Sequence, residues 1–291
     1  MKTLTIIFMA LFLSCISFAL WSQNSVTGKI NSAATVIETI IRNTGSQKYQ
    51  KTVDVIKEGD PQTQVKGIVT SMFATMEVLK AAVEKNCNLI IVHEPLYYNH
   101  MDETEQFKND QVFLEKQRYI KDNKLVIWRF HDYIHSMKPD GIESGMLVKL
   151  DWKKYAVNGR LDQFILPETN LIGLLKDLKG KFPDYTFNVI GDPGMKLSKV
   201  TLAAGAPGSM YHIRLLEDEN TDVVLAGESQ QWETYEYIRD AVSQGRKKAV
   251  IFLGHIASEE AGMEYCAEWL KTFVKDIPVH FVEAGPSYWA Y

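Results

Sequence analysis

Short apolar runs alternate with helix-period segments along most of this chain, and that alternation restricts the fold more than any other feature. "VKGIVTSMF" reads as a strand over Val65–Thr70, and "ATMEVLKAAVEKN" as a helix with Met76, Leu79 and Val83 on its apolar side, ending near Asn86. "NLIIV", "LVIWRF", "DVVLAGE", "KAVIFLG" and "VHFVEAG" read as further strands. Between them lie helical stretches: "TEQFKNDQVFLEKQRYIKDN" as one long helix, "QWETYEYIRDAVSQG" stopped by Gly245, and "SEEAGMEYCAEWLKTFVK" with Ser258 as its cap. A first helix spans Ala33–Arg42, capped by Asn31 or Ser32. Strand–helix alternation of this kind predicts an α/β fold of parallel strands with crossover helices.

The middle is less regular. "GIESGMLVKLDWKKYAV" opens with a helix, "NLIGLLKDLKGKFP" is helical between Pro167 and Pro183, and "TFNVIGDPGMKLSKVTLAAGAPGS" holds two strands around a Gly-Pro turn. The expected organisation is one lobe over about 24–150, a second over 185–291 and a connector over 151–184.

Residues 1–23, "MKTLTIIFMALFLSCISFALWSQ", have the layout of a signal peptide: one lysine, an apolar core, then small residues. Cleavage is expected near Ala19 or Ser22. Anchoring as a lipoprotein through Cys15 fits less well, because Phe12 is a poor residue ahead of such a site, and an uncleaved membrane anchor is the alternative. The mature chain is thus expected to be exported, with no stable membrane span after processing. It would keep Cys87 and Cys266, too few for a disulfide framework and read as buried small hydrophobes. A net charge of -4 without a Lys/Arg-rich run argues against nucleic acid as a partner.

Three of the seven histidines fall directly after predicted strands: His93 after "NLIIV", His131 after "LVIWRF" and His255 after "AVIFLG". Ligands of open α/β sheets bind at the carboxyl ends of strands. Each histidine has an acid or a second histidine close by: Glu94, Asp132 with His135, and Glu259. Imidazole with carboxylate suits zinc, manganese, iron or nickel. "HDYIH" puts His131 and His135 four apart, on one face if the segment is helical. Glu259, placed in a first helical turn, gains from the helix dipole. A carboxylate could bridge two ions, the arrangement typical of hydrolytic sites that activate water.

These residues and their order resemble the NIF3-like (DUF34) proteins, some of which carry the name GTP cyclohydrolase I type 2. The likeness runs from about Ser32 to the C-terminus. It is carried by "GIVTSMFATMEVLKAAVEKNCNLIIVHEPLYY", "RFHDYIHSMKPDGI", "VTLAAGAPGS", "DVVLAGE" and "GHIASEE". The resemblance implies a two-lobed fold with mixed sheets and two divalent ions between the lobes. It implies His93, Glu94, His135, His255 and Glu259 as ligands, with His131 at a nearby non-ligating position and Asp132 or His131 free to move a proton. It also implies a homo-oligomer, up to a hexamer. Two positions depart from the family pattern. Glu94 stands where a second His is usual and His135 where an Asp is usual, so the ligand set keeps its charge but the likeness says less about substrate. His100 and Asp132 are alternative ligands. The glycines of "GAPGS" could offer N–H groups to an anion or form a plain tight turn, and Glu228 is expected beside the cavity. The implied function is hydrolysis of an unknown small molecule by a metal-activated water; the alternative is a non-catalytic metal-binding or adaptor protein.

Overall fold

The computed structural model describes residues 31–290. The expected export segment, including Cys15, Ala19 and Ser22, lies outside them. Among the described residues no helix is long and apolar enough to cross a membrane.

The first part of the chain runs α1 (Ala33–Asn43), β1 (Ile56–Glu58), β2 (Ile68–Ser71), α2 (Met76–Glu84), β3 (Leu89–Val92), α3 (Gln111–Asp122), β4 (Val126–Arg129), α4 (Asp132–Ser136) and α5 (Gly141–Leu150). The rest runs β5 (Gln163–Asn170), α6 (Leu171–Lys181), β6 (Asn188–Ile190), β7 (Lys196–Ala203), α7 (Ser209–Glu217), β8 (Val223–Ala226), α8 (Glu236–Ser243), β9 (Ala249–Phe252), α9 (His255–Lys271) and β10 (Val279–Phe281). They build two five-stranded sheets, ordered β1-β4-β3-β2-β10 and β5-β7-β8-β9-β6. In each sheet the inner strands are parallel and an antiparallel strand closes an edge: β1 on β4 in the first, β5 on β7 and β6 on β9 in the second. The fold is therefore the mixed α/β arrangement that the sequence implied.

The five central strands β2, β3, β4, β8 and β9 are buried at every position, which is why β3, β8 and β9 read as unbroken apolar runs rather than alternating ones, while β2 closes on Thr70–Ser71 and β4 on Arg129. The chain returns to the first sheet through α9, whose Met263, Cys266, Ala267 and Leu270 pack into the same core as Ile68, Leu89 and Trp128. Helix α9 starts at the second sheet and is buried against the first, so its N-terminal turns sit where the carboxyl ends of both sets of strands meet. At Gly145 a Cβ would strike the backbone of Ala261 and Gly262, so α5 and α9 touch backbone to backbone.

Several local expectations change. The long helix over 104–123 is split into a 3-10 turn (Glu105–Phe107) and α3, because Asp110 accepts the Phe113 N–H at 2.9 Å and caps a new start. Ser258 is no cap: α9 begins three residues earlier, and the Ser258 hydroxyl donates back to the His255 carbonyl at 2.8 Å. Glu259 therefore sits in the second turn, beyond most of the dipole's reach. The stretch expected to connect the lobes contains β5 and α6; β5 joins the second sheet, and Phe164, Leu171, Leu174 and Leu178 fill its core. Ser32 rather than Asn31 caps α1. Cys87 and Cys266 are both free and buried.

Candidate metal centre

Parallel register decides what stands at the strand ends. Val92 pairs with Arg129, so the next residues, His93 and Phe130, leave the sheet side by side. The His93 Nδ1 lies 3.2 Å from the Phe130 carbonyl, which makes Nδ1 the protonated nitrogen and turns Nε2 inward as a lone pair. His255 opens α9 after β9, and Glu259 follows one turn later on the same face. His131 precedes α4, and His135 ends its single turn.

These side chains converge. His93 Nε2 is 3.6 Å from Glu259 Oε2, which is 3.0 Å from His255 Nε2. Glu94 Oε1 is 3.3 Å from His255 Nε2 and 3.9 Å from His131 Nε2. The rings of His93, His131 and His135 are mutual neighbours, with centroids 4.6–5.0 Å apart. Two sets can each gather ligand atoms within 4.8 Å of one another: His93 with His131 and His135, and His93 with Glu94 and Glu259. His93 is shared by both.

Donor chemistry fits a divalent cation. His93 Nε2 and Glu259 Oε2 are buried, and neither has a hydrogen-bond partner, although other polar atoms stand within 4 Å. Buried polar atoms are almost always satisfied, and a pair left facing each other is what an ion would bridge. Burial, with the neighbouring histidines, drives the His93 pKa well below its usual range, so its ring is neutral, the form that ligates. Burial would also lower His255, but the carboxylates of Glu228, Glu259 and Glu94, 3.0–3.3 Å from its ring nitrogens, outweigh it and push the pKa up to about 12. Without an ion, a proton on His255 is what offsets these carboxylates.

The ligand candidates other than Glu259 are held from behind. Nδ1 of His131 is 3.0 Å from Asp132 Oδ1, while Asp132 also accepts from the Thr52 hydroxyl at 2.7 Å and from the Val53 N–H at 3.2 Å. His135 Nδ1 is 2.9 Å from Asp140 Oδ2. Partners of this kind fix the tautomer and aim of metal-ligating histidines. The buried Asp54 accepts the N–H groups of His131, Asp132 and Tyr133 at 2.8–2.9 Å, capping α4 from a distant loop. Arg129 is fully buried; its guanidinium donates to Glu94 Oε2 and the His93 carbonyl at 3.1 Å, and to the His100 carbonyl at 2.7 Å.

Gly205, of the "GAPGS" turn, has φ +66 and packs on Glu259; a Cβ there would come within 2.9 Å of the Glu259 carboxylate carbon. Its N–H is already donated to the Ser258 hydroxyl at 2.9 Å, so this residue offers nothing to an anion. Gly205→Ala should push Glu259 aside and weaken zinc binding about 10- to 100-fold, the usual effect of disturbing a ligand's support. Competition with a chromophoric chelator measures it; unchanged affinity would remove Glu259 from the ligand set.

All five predicted ligands, together with His131 and Asp132, thus come together. His131, expected at a non-ligating position, falls within reach of His93 and His135. Asp132 is turned toward Thr52 and Val53, behind His131. His100 stays outside, its ring 6.4 Å from that of His131. Glu94 and His135 fall in separate candidate ligand sets; Arg129 pairs with Glu94, and Asp140 with His135. Arg129 and Asp140 were missed in the sequence, though an arginine closing the apolar run "LVIW" was a readable signal. Glu228 does lie at the cavity, 3.2 Å from His255 Nδ1.

Comparison with known proteins agrees with this architecture. A "GTP cyclohydrolase 1 type 2 homolog" of Clostridium acetobutylicum is 24% identical over 214 residues, covering 69% of this chain and 75% of the relative. Among solved structures, a Bacillus cereus protein related to NIF3 superposes with a TM-score of 0.68 at 14% identity, covering 90% of this chain and 100% of the other. Staphylococcus aureus protein SA1388 gives 0.67 at 15% identity, covering 89% and 99%. The family model Duf34/NIF3 (NGG1p interacting factor 3) matches residues 29–286, nearly the whole described chain, and the protein belongs to that family.

Proposed function

We propose that the protein is a metal-dependent hydrolase of a small molecule, with two divalent ions held by His93, Glu94, His131, His135, His255 and Glu259. The observation that carries this reading is His93 Nε2, buried without a hydrogen bond and 3.6 Å from Glu259 Oε2, an atom whose close contact is the 3.0 Å ion pair with His255, with further imidazole and carboxylate donors around it. Divalent ions bound there would supply Lewis acidity and lower the pKa of water. The chain's own residues do the rest. Asp132, Asp140 and the Phe130 carbonyl hold three imidazoles in the ligating tautomer, and His255 with Arg129 keeps Glu94 ionised in a buried place. Glu228 faces the cavity, and its hydrogen bond with His255 keeps its pKa below the usual range. Like Asp132 behind His131, it accepts at the Nδ1 side of a ligand histidine, and because it also lines the open cavity it is the better placed of the two to take a proton from a substrate bound there. Export of the mature chain belongs to the same proposal, supported by the apolar segment after Lys2.

The test is elemental analysis of purified protein, with hydrolysis assayed across amides, esters and cyclic compounds. The expected result is about two divalent ions per chain, and turnover that stops on chelation and returns with zinc or manganese. Protein that retains no ion after reconstitution with either would sink the proposal.

A further inference from the structure

A cavity of about 770 Å³ opens beside His255 and Glu228, within the size range of small-molecule sites. Its walls carry the side chains of Phe73, Tyr185, Tyr235, Phe252, Tyr288 and Trp289. Tyr235 and Phe252 are stacked on each other, with centroids 4.2 Å apart, and Tyr235, the less buried of the two, lines the cavity with Phe252 behind it. Tyr288 and Trp289 come from the C-terminal segment and are 60% and 81% exposed. Exposed rings at the edge of a cavity are apolar surface with nothing on it, the mark of a contact still to be made.

That segment is pinned in place. Glu260, next to Glu259 on α9, accepts the N–H groups of Ala284 and Gly285 and the Tyr185 hydroxyl. The helix that carries His255 and Glu259 therefore also sets the position of the aromatic wall above them.

Charge narrows the occupant. Among the described residues that line the cavity there is no lysine or arginine. The charged lining groups are Asp184, Glu228 and His255, and His255 is already within 3.3 Å of three carboxylates, those of Glu94, Glu228 and Glu259. On this side of His255, where Nδ1 faces Glu228 and the proposed ions lie beyond Nε2, a phosphate or carboxylate on the ligand would meet like charge on the walls and find no unpaired side-chain cation.

We propose that this cavity binds a flat aromatic or heteroaromatic molecule, uncharged or cationic and without phosphate, between the Tyr235–Phe252 face and the Tyr288–Trp289 wall. The inference rests on the hydrolase reading only in making that molecule the substrate. Its reacting group then faces His255 and Glu228, while the ring stays among the aromatic side chains.

Calorimetric titration of the full chain with indole-3-acetamide, tryptamine and indole-3-acetate, which share one ring and differ in charge, tests this, with GTP as a phosphate-bearing probe. The titrations are run on metal-loaded and EDTA-treated protein. Indole-3-acetamide and tryptamine should bind at least about tenfold more tightly than indole-3-acetate to EDTA-treated protein, and GTP should bind no better than the acetate. Tyr288→Ala with Trp289→Ala should weaken indole-3-acetamide by about tenfold or more, because stacked aromatic contacts are lost, with metal content unchanged. Both rings are exposed, so the variant keeps its core. The proposal is overturned if none of the indoles binds, if indole-3-acetate or GTP matches the amide, or if the double variant binds as wild type does. Ring binding by a protein that takes up neither zinc nor manganese on reconstitution would instead sink the hydrolase reading and leave this one standing.

Discussion

Arg129→Met should destabilise the metal-free protein by about 3–5 kcal/mol, the usual cost of leaving one partner of a buried ion pair alone. Arg129 is fully buried and Glu94 nearly so, with 3.1 Å between guanidinium and carboxylate. Methionine matches the length of the arginine stem but leaves the Glu94 charge to His255, which Glu228 and Glu259 already share, and two carbonyl oxygens, of His93 and His100, without their donor. The double variant Glu94→Gln with Arg129→Met should recover a large part of the loss, since the uncompensated charge is gone. Urea denaturation in the presence of EDTA measures both. Zinc should restore more stability to Arg129→Met than it adds to wild type, because an ion at the cluster supplies the missing positive charge. An Arg129→Met protein within about 1 kcal/mol of wild type in EDTA would mean that Glu94 is not held ionised by this arginine, against the roughly 3 kcal/mol floor expected.

His93→Ala should have the largest effect on metal. His93 is the one side chain common to both possible ligand sets, so its loss weakens both, whereas His135→Ala touches only one. Ion binding to the folded state alone stabilises a protein by about 2.7 kcal/mol when the free ion is at a hundred times its dissociation constant. Wild type should therefore show a zinc-dependent rise in melting temperature, His135→Ala a reduced one and His93→Ala almost none. Elemental analysis should rank the three proteins in the same order. Equal zinc stabilisation of wild type and His93→Ala would show that the ion binds elsewhere and would dismantle the ligand assignment.

Much of the framework was legible because burial on both faces writes a strand as an unbroken apolar run. "LIIV", "VIW" and "AVIF" needed no structure to be recognised, and neither did the histidines set at their ends. The helical stretches were harder to bound, since competing caps are chosen by local geometry. Asp110 and Ser258 are both plausible first residues of a helix; only Asp110 became a cap, because the Gly254 turn after β9 had already started α9. β5 was hidden for a related reason. It is an edge strand containing Pro167, exposed over much of its length, and such strands lack the apolar run that marks a central one.

Fold class, the three strands that end in a histidine and the chemical type of the groups there were readable from the residues alone, because they follow from period, hydropathy and residue chemistry within a dozen neighbouring positions. Tertiary structure alone decided the pairings that cross the chain. Asp54 reaches α4 over 77–79 positions, Arg129 neutralises Glu94 across 35, and Gly205 gives way to Glu259. Such contacts depend on where separate elements come to rest against one another in a close-packed interior, and no local pattern of residues records that distance.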